Sequence, residues 1–335
     1  MPPNPFNVLD FERPVAELEE RIADVKRLAS EEGTDRTQEV AELEEARDRL
    51  LRQIFANLAP SDKVLLARHQ RRPYTLDYVR LMFDDYVELY GDRLFADDHA
   101  MVGGFAFLDG KPVVFVGQQK GRDLKDRQYR NFGSAKPEGY RKALRLMKLA
   151  EKYGRPVICL VDTPAADCSV GAEQRGISEA IARNLLEMAT LETPIVVAIL
   201  GEGGSGGAIG IGVGDHILMQ ENAIYSVIPP EGCAAIIWRD PNRWPEAAAA
   251  LKVTAQDALE LGVIDEIVPE PLGAAHRNYE HAAKNLKSAV VKALGQLEDI
   301  PVPELLERRY LKFRNMGMFE ELEACSAKEK DAKKK

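Results

Sequence analysis

Long apolar runs are missing from these 335 residues, as are paired cysteines, a metal-type histidine motif and any surplus of positive charge. Without 18 consecutive apolar residues there is no candidate membrane-spanning helix. The opening MPPNPFNVLDFERP lacks the basic and apolar regions of a secretory signal, so a cytoplasmic protein without membrane contact is expected. The four cysteines, Cys159, Cys168, Cys233 and Cys325, include no Cys-x-x-Cys pair. That argues against a disulfide framework and a zinc ribbon. The five histidines are scattered and form no His-Glu-x-x-His, so no metal is expected in this chain. Lys and Arg number 45 against 54 Asp and Glu, a formal net charge of −9, which removes nucleic acid as the default partner.

What is present is the patterning of a large α/β domain with appendages. Val15, Leu18, Ile22, Val25 and Leu28 share one helical face, as do Val40, Leu43, Leu50 and Ile54, with a polar break at 31–35. The period predicts a helical hairpin that packs on the main body or on a partner. From Met101 to Val116 the residues alternate and then run apolar around Asp109-Gly110, a tight antiparallel hairpin. Pro137-Glu138-Gly139 opens a helix that Tyr153-Gly154 stops.

Two buried strands, Pro156 to Val161 and Pro194 to Leu200, flank a helix expected from about Glu173 to Ala189. The second ends in a glycine loop, GEGGSGGAIGIGVG (201 to 214). Such βαβ repetition means a largely parallel sheet with its site at the carboxyl ends of the strands. Short strands at Asp215 to Met219, Ala223 to Val227 and Val263 to Val268 follow. A helix opens at Pro229-Pro230-Glu231, another spans about Ala274 to Leu294, and the lysine-rich end is a solvated charge run.

Three chemistries compete for the glycine segment. Gly201-Glu202-Gly203-Gly204-Ser205-Gly206 with Glu221 twenty residues on satisfies the dinucleotide fingerprint. However, only Gly207 to Gly214 separates it from the next strand, too short and glycine-rich for a crossover helix. Gly203-Gly204-Ser205-Gly206-Gly207 also satisfies Gly-x-Ser-x-Gly, with His216, His276 and His281 downstream, the order of a serine hydrolase. A pattern made mostly of glycine matches such a motif by chance. The third reading needs only backbone: glycines at a strand end let main-chain N–H groups face a cleft and receive an anion or oxyanion.

The stretches RPYTLDYVRLMFDDYVELYGDR (72 to 93), VGGFAFLDGKPVVFVGQQKGRD (102 to 123), RNFGSAKPEGYRKALRLMKLAEKYGRPVICLVDTP (130 to 164), VGAEQRGISEAIARNLLEM (170 to 188), GEGGSGGAIGIGVGD (201 to 215) and YSVIPPEGCAAIIW (225 to 238) resemble, in order, the alpha subunits of bacterial-type acetyl-CoA carboxylase carboxyltransferases. The resemblance implies an α/β, crotonase-like fold of ββα spiral turns with an N-terminal helical hairpin. Its divisions would be an extension over 1–60, the carboxyltransferase domain over 61–296 and a C-terminal segment with charged tail over 297–335. It further implies carboxyl transfer from carboxybiotin on the biotin carboxyl carrier protein to acetyl-CoA, giving malonyl-CoA for fatty acid synthesis. The implied partners are a beta subunit bearing the zinc ribbon, in an alpha2beta2 assembly, and biotin carboxylase.

By the same resemblance, the amides of Gly206 and Gly207 stabilise the ureido oxygen of biotin. Gly203, Gly204, Ser205, Ala208, Glu231 and Gly232 line the biotin site. Lys120 and Arg122, just after a strand, are candidates for a phosphate or the carrier's carboxylate, and Glu173 and Arg175 for pairing or for orienting the loop after Asp162, not for reacting. One departure stands out. After Asp162-Thr163-Pro164 that family usually reads Gly-Ala-Tyr-Pro-Gly, whereas this chain has Ala165-Ala166-Asp167-Cys168-Ser169. The change removes two glycines and a rigid turn and adds a carboxylate. It predicts a differently shaped loop and leaves open a weakened paralogue that serves as an assembly scaffold.

Overall fold

A computed structural model describes residues 8–317. The expected charged tail and Cys325 lie outside the described residues. Helices α1 (Arg13–Glu32) and α2 (Thr37–Phe55) form the predicted hairpin, and Gly33 ends the first at φ 64°. Val15, Ile22, Val25 and Leu51 are its buried residues. Then come α3 (Pro60–Ala67) and α4 (Thr75–Met82), each opened by a capping carboxylate, Asp62 on Ala59 N and Asp77 on Tyr74 N.

Strands β1 (Asp85–Glu88), β2 (Met101–Leu108) and β3 (Lys111–Gln118) pair antiparallel. Asp109 and Gly110 join β2 to β3 at φ 49° and 74°, the positive pair that suits the twist of a two-residue hairpin. Next are α5 (Leu124–Tyr129), α6 (Pro137–Lys152) and β4 (Val157–Thr163). The helix expected from Glu173 to Ala189 is two helices, α7 (Val170–Gln174) and α8 (Ile177–Ala189). Gly176 breaks it in the left-handed region at φ 78°.

The second buried strand also exceeds its expectation. It runs as β5 (Ile195–Gly204), so Gly201 to Gly204 are strand, not loop. The remaining elements are α9 (Ser205–Ile209), β6 (His216–Gln220), β7 (Ile224–Ser226), α10 (Pro230–Trp238), α11 (Trp244–Ala250), α12 (Ala255–Glu260), β8 (Glu266–Val268), α13 (Tyr279–Leu297) and α14 (Val302–Arg314). Thus β8 is shorter than the predicted Val263 to Val268, and α13 starts at Tyr279, where Asn278 caps it by accepting from His281 N.

The sheet order is β1-β2-β3-β4-β5-β6-β8, parallel from β3 onward, while β7 pairs with the far end of β5. Strands buried on both faces read as unbroken apolar runs. Accordingly, β4 sends Val157, Cys159 and Val161 toward α6 and α8, and Ile158 and Leu160 toward α4 and α13. Among the described residues, no helix is long and apolar enough to cross a membrane.

Buried cations tie the layers together. Arg72, fully buried, donates to Leu200 O (2.7 Å) and Gln220 Oε1 (2.8 Å) and pairs with Glu270 at 2.5 Å. Burial alone would raise the Glu270 pKa; the Arg72 charge and hydrogen bonds, with the Asn222 and Ala275 amides, hold it below the ordinary value instead. Its contribution to stability is therefore present above the unfolded carboxylate pKa and lost as pH falls through the folded one. Glu270→Gln should cost about 3–5 kcal/mol, because it strands a buried guanidinium. Denaturant unfolding at pH 7 and near pH 4 checks this, and the gap between variant and parent should narrow at the lower pH.

Candidate functional site

The carboxyl edge of the parallel strands carries the charged and glycine residues singled out above. Between Val161 and Thr163 the β4–β5 register shifts, from Val161 opposite Ile199 to Thr163 opposite Gly203. The irregularity sets Glu202 beside Asp162, whose Oδ1 accepts the Glu202 amide at 3.0 Å. Gly201 is required there: a Cβ would lie 2.7 Å from the same oxygen.

Beyond the shift, the end of β5 rests directly on the chain after β4. A Cβ on Gly204 would lie 2.0 Å from Pro164 O, and one on Gly207 would lie 2.5 Å from Ala165 C and 2.6 Å from Ala166 N. Only glycine permits this approach. A Cβ on Gly203 would lie 2.7 Å from Tyr225 Cδ2 of β7, whereas one on Gly206 would meet only Ile181 Cδ1, at 3.5 Å. Ala208 is buried. Ser205 turns the strand into the helix at φ 49°, a strained conformation for a non-glycine residue. Pro164, Gly203, Gly204, Ser226 and Pro229 share a small pocket with Arg68.

A chain of five charges underlies this edge. Lys120 Nζ lies 2.8 Å from both Asp162 Oδ1 and Glu202 Oε2. Arg68 reaches Glu202 at 2.7 Å and Glu231, in the first turn of α10, at 2.6 Å. Burial would lower the Lys120 pKa, but the two carboxylates hold it above its ordinary value. Burial would raise that of Glu202, and Lys120 and Arg68 bring it below. Three carboxylates against two cations leave no cationic excess for an incoming anion.

Arg122 is committed too: it donates to Gln70 O and Arg72 O at 2.8 Å, pairs with Asp77 and lies 4.0 Å over the Tyr74 ring. Arg175 pairs with Glu138 at 2.6 Å, not with the loop after Asp162. Gly232 follows Glu231 in α10, with Ile228 Cγ1 3.3 Å from where its Cβ would be.

The sequence signals for other chemistries fare differently. His216 opens β6 at the amino edge of the parallel sheet, opposite the edge that carries Ser205, and His276 bonds Glu12 at 3.1 Å. The histidines are nevertheless not all scattered: donor atoms of Glu12, His69 and His276 lie within 4.8 Å of one another, all buried, where the helical hairpin meets the body. Segments that far apart in sequence give no local motif. The loop that departs from the family pattern runs without positive φ at 165–169, since the positive-φ non-glycine residues lie elsewhere. Asp167 turns its carboxylate to the amide (2.9 Å) and hydroxyl (3.1 Å) of Ser169, which caps α7.

The comparisons with known proteins bear on the whole chain. The family described as acetyl co-enzyme A carboxylase carboxyltransferase-like matches residues 8–317. Acetyl-coenzyme A carboxylase carboxyl transferase subunit alpha of Geobacter metallireducens is 56% identical over 313 residues, 93% of this chain and 98% of that protein. The corresponding subunit of Thermosynechococcus vestitus is 53% identical, covering 94% and 97%.

This chain belongs to the family of acetyl-CoA carboxylase carboxyl transferase alpha subunits. The fold agrees with the crotonase-like expectation. A transcarboxylase 12S structure superposes at TM-score 0.53 with 18% identity, covering 66% of this chain and 41% of that one. A Pseudomonas malonate decarboxylase hetero-dimer superposes at 0.52 with 19% identity, covering 64% and 88%. Lys120 is held between two buried carboxylates. Lys120→Met leaves Asp162 and Glu202 as adjacent buried carboxylates and should cost about 3–5 kcal/mol, with part of the loss recovered in Lys120→Met/Glu202→Gln. Thermal unfolding of the two variants beside the parent measures both.

Proposed function

We propose that this chain supplies the biotin side of carboxyl transfer from carboxybiotin, on the biotin carboxyl carrier protein, to acetyl-CoA, which yields malonyl-CoA. The main-chain amides of Gly206 and Gly207 are the donors to the ureido oxygen of biotin. The observation that carries this reading is the contact of Gly204 and Gly207 with the backbone of 164–166. It fixes the strand-to-helix turn without any side chain in the way, and the first amides of a helix have no partner within it. Donors held rigidly where negative charge develops need no reorganisation during the reaction.

The reaction supplies its own base and nucleophile, so no triad is required. Glu231 and Gly232, tied through Arg68 to Glu202, shape the wall of the site, and Gly203, Ser205 and Ala208 hold the turn. Lys120 and Arg122 act through the frame, since their cationic groups already meet carboxylates. The acyl-CoA half and the zinc ribbon belong to a beta subunit in an alpha2beta2 assembly that receives carboxylated carrier from biotin carboxylase. We assign the chemistry to residues 61–296, with 1–60 and 297–335 as extensions. The Glu12–His276 contact supports a fixed docking of the first, and the burial of Arg309 against Asp215 supports that of the second.

Two outcomes test the assignment. The isolated chain should give no malonyl-CoA-dependent carboxylation of biocytin, and adding the beta subunit should restore it; turnover by the pure chain would overturn the split site. In the assembled enzyme, Gly207→Val should lower turnover roughly 10²–10³-fold, as loss of an oxyanion donor does. Ser205→Ala should cost little, and gel filtration of each variant with the beta subunit checks assembly. A serine-hydrolase mechanism requires the reverse order.

A further inference from the structure

Helix α9 spans only Ser205 to Ile209 and cannot satisfy its own carbonyls. Backbone amides reach three of them: Gly210 N bonds Gly206 O at 3.1 Å, Ile211 N bonds Ala208 O at 3.2 Å and Gly212 N bonds Ile209 O at 3.0 Å. The Gly207 carbonyl is passed over by this series, because the amide four residues on, Ile211 N, turns to Ala208. Two fully buried side chains take its place. Gln118 Nε2 donates to Gly207 O at 2.9 Å and the Tyr140 hydroxyl donates to the same oxygen at 3.2 Å.

Both side chains are themselves held. Gln118 Oε1 accepts the Asp162 amide at 3.1 Å, so one carboxamide spans the ends of β3 and β4 and the turn after β5. The Tyr140 ring packs on Gly210, where a Cβ would lie 2.5 Å from its Cε1. Asn184 donates to Tyr140 O at 3.1 Å and to Gly210 O at 2.9 Å. Burial and the nearby Asp98 raise the phenol pKa, so Tyr140 remains a protonated donor throughout the working pH range.

We propose that Gln118 and Tyr140 are positioning residues for carboxyl transfer: by gripping the Gly207 carbonyl they fix the Gly207–Ala208 peptide, which shares the Gly207 Cα with the peptide that carries the Gly207 amide, and so restrict how that amide can turn at the site. The proposal rests on the reading of Gly206 and Gly207 as the oxyanion donors. Both side chains are fully buried, and neither needs to touch substrate. Their geometry matters because a donor misaligned by a fraction of an ångström stabilises developing charge far less than it stabilises a bound ground state.

Tyr140→Phe removes one oxygen and leaves the ring that packs on Gly210, while Gln118→Met keeps the chain length and removes the carboxamide. Each variant is assembled with the beta subunit, and carboxylation of biocytin by malonyl-CoA is measured alongside thermal unfolding. Tyr140→Phe should lower kcat about tenfold, the scale of one lost hydrogen bond, with the KM for malonyl-CoA unchanged. Gln118→Met should lower kcat further, and the double variant should approach the loss seen in Gly207→Val. A kcat at the parent's level in both single variants, whatever their melting temperatures, would overturn the positioning role. So would a loss confined to KM. If Gly207→Val is inactive while both variants are fully active, the amide assignment stands and only this inference falls; an active Gly207→Val removes the assignment and the inference with it.

Discussion

Two backbones in van der Waals contact exclude both side chains and water, and that constraint governs the carboxyl edge of this sheet. Gly204 and Gly207 touch the main chain of residues 164–166. Once they do, every polar group along the seam must find a partner inside the protein, since an unmet buried carbonyl or amide costs about 1–3 kcal/mol. The answers are local and specific: Gln118 and Tyr140 for the Gly207 carbonyl, Asn184 for that of Gly210, and Asp162 for the Glu202 amide. The glycines therefore matter less as flexible residues than as thin ones. Their backbone conformation at 201, 203, 204 and 207 is ordinary, with no positive φ; what they give is proximity.

The same need explains the buried ions. Asp162 serves the Glu202 amide, and a carboxylate there calls for a cation, which Lys120 brings from the loop after β3. Glu202 then shares Lys120 and also meets Arg68, which extends the chain of charges to Glu231 and so to α10. A buried pair of this kind is weak evidence for net stability, because desolvation offsets much of the Coulomb gain. Its effect is to penalise every arrangement that separates the partners. Arg309 works alike at the other end of the sheet, donating to the carbonyls of Met188, Leu191 and Thr193 while pairing with Asp215, so that α14 closes against α8.

The strands and principal helices were legible because their signals are local. Apolar runs bounded by Pro156 and Pro194 gave β4 and β5, and Pro137 with Tyr153-Gly154 bounded α6. The errors have local causes of another kind. Gly176 lies within an amphipathic pattern, and periodicity does not register a single left-handed residue, so α7 and α8 read as one helix. Residues 201 to 204 read as loop because strand propensity counts side chains, whereas Glu202, Gly203 and Gly204 pair through backbone with β7 and Gly203 also with β4. The long-range pairs were beyond reach: Arg175 with Glu138, and Glu12 with His276, leave no spacing signature. A lone glutamate inside a glycine run and an aspartate ending an apolar strand were the available hints of the Asp162–Glu202 seam.

The unusual 165–169 segment is where these constraints meet most directly. The atoms nearest a Cβ on Gly207 are backbone atoms of Ala165 and Ala166, and φ at 165–169 is not positive. The Asp167 amide reaches Ala135 O at 2.9 Å and its carboxylate is taken up by Ser169, which in turn caps α7 through the Ala172 amide. Side-chain hydrogen bonds thus organise this turn. The loop turns Cys168 outward, while its main chain keeps the close approach to Gly207 that only glycine permits there.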